Sequence, residues 1–248
     1  MLVADMRDFL IFLSWIMIIC GFFVFIALRS GINAGYGRYT NTAHGINPKL
    51  AWFIQESPSL FIPLYFCLVG TSNSGRNVLR LICCHYLNRA IIYPFEMRSG
   101  ALSPYWIVFS ATFFCTYNGF LQGAWNAYYQ PEDEYFTWHH GVGILLFFSG
   151  MGINHVADRI LHNLRAPGET GYRIPTGWLY EYISCPNYFG EIIEWIGLAI
   201  FAWNLPATAF AIFTFANIGP RAVSHHRWYK EKFPGYPKNR KALIPYLY

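Results

Sequence analysis

The feature that most constrains how this chain folds is an uncharged apolar run near its amino end. Phe9 to Leu28 contains twenty consecutive residues without a charged side chain, and a helix of that length crosses a hydrocarbon core of about 30 Å. Asp5, Arg7 and Asp8 precede the run and no clear small-residue cleavage site follows it, unlike a cleaved signal peptide. We therefore expect a first transmembrane helix here.

The composition extends this interpretation to the whole chain. Of its 248 residues, 54% are hydrophobic and only 12% are charged, whereas soluble domains carry about 25% charged residues. Further apolar segments lie at roughly 50–70, 76–95, 102–124, 139–162, 182–202 and 205–226. We predict an all-α, polytopic membrane protein with about seven transmembrane helices, forming a single domain over residues 1–248.

The positions of Lys and Arg predict the orientation of these helices. If the C-terminus is cytoplasmic, thirteen of the eighteen Lys and Arg residues lie in inside segments, seven of them between Arg221 and Lys241. The outside segments then hold Arg7, Arg76 and Arg80, together with an acidic loop at 131–134. By the positive-inside rule we expect an outside N-terminus and a cytoplasmic C-terminus, in a bacterial inner membrane or an endoplasmic reticulum.

The net charge of +5 is compatible with nucleic acid, anionic lipid or a phosphorylated cofactor as a partner. Orientation accounts for about half of this charge, and we expect membrane lipid as a partner, with no nucleic acid and no obligate protein partner. The six cysteines mostly lie within apolar segments and have no paired CxxC spacing. We therefore expect neither a disulfide framework nor a metal site.

Polar residues stand at helical spacing beside the sixth apolar segment. Asn187, Glu191 and either Glu194 or Trp195 share one helical face by the i, i+3, i+4 rule. Ionisable groups at membrane depth indicate function by default. The alternative is that Glu191 caps a helix begun by Pro186.

Two more helix ends predicted to be cytoplasmic carry polar residues in register. Asn154, Asp158 and Arg165 lie within about 40° of one another on an ideal helix, and Arg221, His225 and Tyr229 repeat every four residues. Such a mixture of acids, amides and bases suits one large polar ligand with phosphates, which Arg and His bind by charge-assisted hydrogen bonds. There is no GxGxxG or Walker motif, so a nucleotide would be held in a non-Rossmann way.

Two apolar segments carry candidates for the membrane side. Glu56 stands near two prolines, which predicts a kinked helix lining a polar cavity, although a Glu56 that reaches the interface is the alternative. Tyr86, Arg89 and Tyr93 share a face by spacings of three and four. Glu56 and Tyr86 would converge in an apolar chamber that a lipid-like substrate enters.

Several stretches of the chain resemble the steroid 5α-reductase family. They are GMGIN from Gly150, LRAPGETGYRIPTGWLYEYIS from Leu164, PNYFGEIIEWIG from Pro186, HHRWYKEKFPGYPKNRKALIP from His225, and, upstream, QESPS from Gln55 and NGFLQG from Asn118. The resemblance implies a seven-helix membrane enzyme that uses NADPH to reduce the Δ4 double bond of a 3-oxo steroid. It also implies substrate-side helices in 1–149 and an NADPH-binding region in 150–248.

The resemblance further implies a role for individual residues. The cofactor site would comprise Asn154, Asp158, Arg165, Tyr172, Arg173, Asn187, Glu191, Arg221, His225 and Tyr229, and the catalytic pair would be Glu56 and Tyr86. That pair would polarise the substrate carbonyl while hydride reaches the β-carbon, with Glu56 kept neutral by its apolar surroundings. One departure is that relatives carry extra arginines between the third and fourth segments, where this chain has only Arg98.

Three other functions remain open at this point. Reductases of enoyl-CoA or polyprenol chains would use a similar cofactor site with another lipid pocket. A membrane methyltransferase of the isoprenylcysteine type would bind S-adenosylmethionine and need no carboxylate equivalent to Glu56. A transporter or lipid-binding protein would explain intramembrane charges, but it would leave the cofactor-like cluster unexplained.

Overall fold

The computed structural model of the chain describes residues 2–32, 44–97, 100–165, 169 and 171–247. Residues 33–43, between the first two apolar segments, and Arg98 lie outside the described residues. Within them the secondary structure is helical, and β-structure is limited to two isolated bridges, Ile46 with Ser103 and Ile183 with Lys241. The prediction of an all-α fold is confirmed.

Seven long helices occupy the described residues, one for each predicted apolar segment. They are α1 Leu2–Arg29, α2 Pro48–Val69, α3 Asn73–Tyr86, α4 Tyr105–Tyr128, α5 Trp138–Asn163, α6 Pro186–Ala202 and α7 Leu205–Lys232. Helix α3 continues through a π-helical segment, Leu87–Ile92, and one more α-helical turn, Tyr93–Glu96, while a short 3₁₀ helix, Trp178–Glu181, precedes α6.

Two helices, Asp5–Arg29 within α1 and Trp138–Asn163, are long and apolar enough to cross a membrane, judged by length and composition. The other helices among the described residues do not pass this test, because α3 and α6 have only 14 and 17 residues and the longer ones fall below the required hydropathy. In α4, for example, the buried amides of Asn118, Gln122 and Asn126 lower the hydropathy. Seven membrane spans and the orientation of the two termini therefore stay predictions.

The chain divides into two compact units. The first comprises 1–16, 33–137 and 202–207, and the second comprises 17–32, 138–201 and 208–248. Glu56 and Tyr86 belong to the first unit, and all ten predicted cofactor residues belong to the second. The predicted single membrane domain, with a substrate-side part and a cofactor part, stays a prediction.

Side chains define where helices of the first unit begin. Asn47 caps α2 by accepting the N–H of Lys49 at 3.0 Å, and Ser72 caps α3 by accepting the N–H of Gly75 at 3.0 Å, the usual role of such residues at an N-cap. A second cap on α3 comes from a distant loop, because the Glu132 carboxylate accepts the N–H of Asn73 at 2.6 Å. The acidic loop is thereby tied to the start of α3.

Four amide side chains lie four residues apart, three on α4 and one just beyond its end: Asn118, Gln122, Asn126 and Gln130. Gln122 Nε2 donates to the carbonyl of Pro206 at 2.8 Å. The Asn204 amide donates to Asn126 Oδ1 at 3.1 Å and to Gln130 Oε1 at 2.8 Å. These bonds hold the turn between α6 and α7 against α4 inside the first unit.

Helices α5 and α6 of the second unit approach to backbone contact. Each carries two glycines seven residues apart, Gly143 and Gly150 on α5, and Gly190 and Gly197 on α6. A Cβ on Gly190 would lie 2.5 Å from the backbone nitrogen of Asn154, and one on Gly143 would lie 2.6 Å from that of Phe201. Small residues that let helix backbones touch are typical of packing between membrane helices.

The chain beyond α7 forms turns and no further helix up to residue 247, as its prolines predict. It is pinned to the segment before α6. The Ser184 N–H donates to the Lys241 carbonyl at 2.8 Å, and the Lys241 N–H donates to that of Tyr182 at 2.8 Å. The next residues of the tail, Ala242 and Leu243, are buried in the core of the second unit.

Candidate functional site

The α5–α6 crossing places three predicted cofactor residues in one hydrogen-bonded group. Asn154 Nδ2 donates to the carbonyl of Asn187 at 3.0 Å, and Asn187 Nδ2 donates to Asp158 Oδ1 at 3.1 Å. Asn154 is buried, whereas Asp158, Asn187 and Glu191 are half-buried. The group thus presents carboxylate and amide oxygens that are still reachable by a ligand.

The second half of α7 contributes bases to the same unit. Arg221 is half-buried, and its Nε donates to Asn217 Oδ1 at 3.1 Å, one turn earlier. His225 Nε2 lies 3.2 Å from the hydroxyl of Tyr188 in the first turn of α6. This contact joins α7 to the helix that carries Asn187 and orients the imidazole.

Ser184 is a buried hub between α7 and the tail, and sequence analysis missed it. Its Oγ lies 2.6 Å from Nδ1 of His226 and 2.6 Å from the hydroxyl of Tyr236. The Tyr236 ring stacks on that of Tyr229, with centroids 5.3 Å apart and planes at 11°. Burial raises the pKa of the Tyr236 phenol, so the phenol stays neutral. Ser184 therefore supports Tyr229, a predicted cofactor residue, through one intermediate ring.

The loop between α5 and α6 holds three further predicted cofactor residues. Arg165 Nη1 donates to the carbonyl of Gly171 at 3.1 Å. Tyr172 packs edge-on against Trp228 of α7, with ring centroids 4.8 Å apart. Arg173 forms an ion pair with Glu169 at 2.5 Å, and both side chains are exposed, so this pair contributes little stability.

The tail also buries a cation that sequence analysis missed. Arg240 is 1% exposed, donates from Nη1 to the Pro175 carbonyl at 3.0 Å, and lies 5.0 Å from the centroid of the Tyr236 ring. No sequence signal distinguishes it, because it stands among exposed basic residues such as Lys238 and Lys241. It fixes the stretch after the Arg173 loop to the tail.

These residues chemically fit a dinucleotide. The second unit offers acceptors for ribose hydroxyls, Asp158 and Glu191, and cationic or neutral donors for phosphates, Arg221 and His225. All four are half-buried, as a binding surface for a large polar ligand requires. The ten predicted residues belong to one unit, and both the set and the individual roles stay predictions.

The predicted catalytic pair lies in the first unit, on helices that pack against each other. Glu56 on α2 is half-buried, and Cys115 Sγ of α4 donates to its Oε2 at 4.0 Å. Tyr86, the last residue of α3, is 5% exposed. The ring of His85 packs edge-on against the Tyr86 ring at 4.9 Å. Tyr86 is therefore enclosed by packed neighbours, whereas Glu56 is partly accessible.

The helix between Tyr86 and Tyr93 is not the regular α-helix that this spacing assumed, because the segment Leu87–Ile92, which contains Arg89, is π-helical. The Arg89 guanidinium lies between two rings, 4.7 Å from the Trp52 centroid and 4.8 Å from the Tyr93 centroid. Sequence analysis missed Trp52. Its position one turn before Glu56 on α2 is the signal that would have found it.

Comparison with known proteins gives a consistent result. The sequence model of the family described as 3-oxo-5-alpha-steroid 4-dehydrogenase matches residues 101–248. The chain is 42% identical over 227 residues to 3-oxo-5-alpha-steroid 4-dehydrogenase 1 of Bos taurus, covering 87% of this chain and 88% of that protein. It is 42% identical over 233 residues to the type 2 protein of Homo sapiens, covering 90% and 91%.

A plant relative shows the same similarity over nearly the full length. Steroid 5-alpha-reductase DET2 of Solanum lycopersicum is 39% identical over 261 residues, covering 98% of both chains. An all-helical chain with these relatives is an enzyme of the oxidoreductase class. It belongs to the 3-oxo-5-alpha-steroid 4-dehydrogenase family, whose members are also named steroid 5-alpha-reductases. The predicted resemblance is confirmed.

Proposed function

We propose that this chain catalyses the NADPH-dependent reduction of the Δ4 double bond of 3-oxo-Δ4 steroids to 5α-steroids, as a multi-pass membrane enzyme whose cofactor site faces the cytoplasm. The observation that carries the proposal is about 40% identity to enzymes named for this reaction over most of the chain. The acids, amides and bases gathered in the second unit support it, since they suit a phosphorylated dinucleotide.

In this proposal the second unit holds NADPH. Asp158, Asn187 and Glu191 bind ribose hydroxyls or the carboxamide, while Arg221 and His225 bind phosphates. Arg165 and Arg173 are the partners for a 2′-phosphate, which would select NADPH over NADH. Asn154, Tyr172 and Tyr229 complete the set and hold these groups in place. The cofactor itself supplies the hydride.

In the first unit, Glu56 and Tyr86 bond the 3-oxo group of the steroid. Negative charge develops on this oxygen as hydride reaches the β-carbon, and two preorganised donors stabilise it best where water is excluded. The Tyr86 hydroxyl donates as a neutral phenol, and Glu56 donates as a neutral carboxylic acid. Protonation of the α-carbon then completes the reduction.

The test is steroid-dependent oxidation of NADPH by the full chain purified in detergent. Absorbance of NADPH is followed with testosterone or progesterone, and mass spectrometry identifies the product, which should gain two hydrogens. Binding of NADPH without turnover would move the substrate to another lipid with a reducible double bond, such as an enoyl-CoA or a polyprenol chain. No binding of NADPH would contradict the reductase assignment.

Two variants test the catalytic pair. Glu56→Gln and Tyr86→Phe should each lower kcat by about 10² to 10³, the effect of removing one donor to a developing oxyanion, while the affinity for NADPH is kept. Tyr65→Phe is a matched control, because Tyr65 also lies in the first unit and is 59% exposed. Full turnover by Glu56→Gln with NADPH bound would show that the acid role is wrong.

A further inference from the structure

The helix that carries Tyr86 changes its winding at the next residue. The segment Leu87–Ile92 is π-helical, and the N–H of Tyr93 donates to the carbonyl of Asn88, five residues earlier. A π segment contains more residues per turn than an α-helix, so it changes the angular phase of every residue after it. Such segments are rare and concentrate at functional sites.

The sequence explains why the helix widens here. Pro94 follows Tyr93, and proline inside an α-helix has no N–H to donate and clashes with the carbonyl four residues before it. Pro94 has no N–H to give to the carbonyl of Arg89, five residues before it, and Tyr93 donates to the carbonyl of Asn88. The Trp52 indole N–H of α2 donates to the carbonyl of Arg89 at 3.1 Å.

The side chain of Arg89 is held by the same partner. Its guanidinium lies 4.7 Å from the Trp52 ring centroid and 4.8 Å from the Tyr93 ring centroid, and the two rings are 5.2 Å apart. Each cation–π contact contributes about 0.5–2 kcal/mol, depending on how far the cation is desolvated. Backbone and side chain of one residue thus attach the π segment to α2.

This attachment lies one helical turn from both predicted catalytic residues. Trp52 and Glu56 are four residues apart on α2, which places them on one face. Arg89 follows Tyr86 by three residues, at the start of the widened turns. Any rotation of the π segment relative to α2 would therefore change the distance and the orientation of the Tyr86 hydroxyl relative to the Glu56 carboxyl.

We propose that Arg89, held between Trp52 and Tyr93, is a positioning residue that sets the orientation of Tyr86 relative to Glu56. This proposal rests on the proposed function of that pair. Arg89 acts through Tyr86 and makes no bond to the reacting atoms in this scheme. A misplacement of about 1 Å in a reacting geometry can cost about 10² in rate, so the release of Arg89 should lower kcat and leave cofactor binding unchanged.

A double-mutant cycle tests this in the full chain in detergent, with kcat, KM for testosterone and Kd for NADPH as readouts. Arg89→Met keeps the length of the side chain and removes the guanidinium, and should lower kcat at least tenfold with less than a twofold change in NADPH Kd. Arg89→Lys keeps the cation and should recover most of the rate. Because Arg89 acts through Tyr86, adding Arg89→Met to Tyr86→Phe should cost no further rate.

Two more variants serve as control and as a second probe. Arg80→Met is the control, because Arg80 is an exposed residue of α3 whose Nη1 bonds Asn77 at 2.8 Å, and it should keep the wild-type rate. Trp52→Phe keeps an aromatic ring but removes the indole N–H together with its five-membered ring, so it tests the proposal even if Arg89→Met folds poorly. It should lower kcat about threefold or more, and again only when Tyr86 is present.

The outcomes separate this proposal from the proposed function. Multiplicative losses in the Arg89→Met, Tyr86→Phe double variant would overturn the positioning role alone, as would a loss of NADPH affinity that parallels the loss of kcat. Full turnover by Tyr86→Phe would overturn the catalytic pair and the positioning role together.

Discussion

A methyl group on Gly190 is the sharpest test of how the cofactor residues are held. Its Cβ would lie 2.5 Å from the backbone nitrogen of Asn154 and 2.6 Å from the carbonyl oxygen of Gly150. Ordinary van der Waals contact begins at 3.4 Å, so α5 and α6 must separate by about 1 Å. Overpacking of this kind typically costs about 1–3 kcal/mol.

That separation acts directly on the hydrogen-bonded group at the crossing. The bonds from Asn154 to Asn187 and from Asn187 to Asp158 are 3.0 Å and 3.1 Å long, and an added 1 Å takes them beyond hydrogen-bonding distance. If about 1–2 kcal/mol of this cost falls on the binding surface, the Kd for NADPH in Gly190→Ala rises about 5- to 30-fold.

Gly152→Ala is the matched control, because a Cβ there meets no atom within 4 Å although Gly152 also lies inside α5. Alanine should instead stabilise the helix by about 0.5–1 kcal/mol. The assay is a titration of NADPH by protein fluorescence, with thermal unfolding measured on the same samples. Wild-type affinity in Gly190→Ala, or an equal loss in Gly152→Ala, would refute the steric reasoning.

Three further predictions concern individual hydrogen bonds that stabilise one or the other of the two units. Ser184→Ala removes a partner of the buried Tyr236 hydroxyl, which should cost about 1–3 kcal/mol and lower Tm, whereas Ser184→Thr should retain most of the stability. Hydrogen bonds from backbone N–H groups lower the pKa of the Glu132 carboxyl. The stability that this carboxylate contributes is therefore present above the ordinary pKa of Glu and is lost as the pH falls through the lowered pKa. The Tm of Glu132→Gln should depend less on pH in that acid range. Gln122→Leu leaves the carbonyl of Pro206 without its 2.8 Å donor, and hydrogen exchange in the α6–α7 turn should speed up.

The helices can be predicted from the sequence because apolar runs, and the polar residues that interrupt them, are local signals. Each predicted segment corresponds to one helix, and local side chains such as Asn47 and Ser72 define the starts of α2 and α3. That Asn154 and Asp158 share a face also follows from spacing, since they are four residues apart on one helix, whereas their bonds to Asn187 join two helices. The seven predicted membrane spans, in contrast, stay predictions, because helical periodicity alone does not describe a bilayer.

The contacts that escaped prediction depend on groups distant in sequence. A proline in an apolar segment predicts a break, but whether Pro94 ends the helix or widens it depends on Trp52, 37 residues away from the Arg89 carbonyl that it satisfies. No local pattern distinguishes Ser184, because its partner Tyr236 lies far away in the sequence, in the tail. In the sequence, Arg240 resembles the basic surface residues around it, yet it is buried. Its partner, the carbonyl of Pro175, belongs to another loop, so local sequence does not predict this burial.

The amide side chains of α4 bond to groups that the ribosome makes much later. Gln122 finds its acceptor 84 residues later in the chain, and Asn126 finds its donor 78 residues later. If α4 spans a membrane as predicted, it carries amides that lipid cannot satisfy until the ribosome has made the α6–α7 turn, at several kcal/mol for each group left unpaired. In that case the nascent α4 should stay beside water or the insertion machinery, and translation of α6 and α7 should release it into the bilayer.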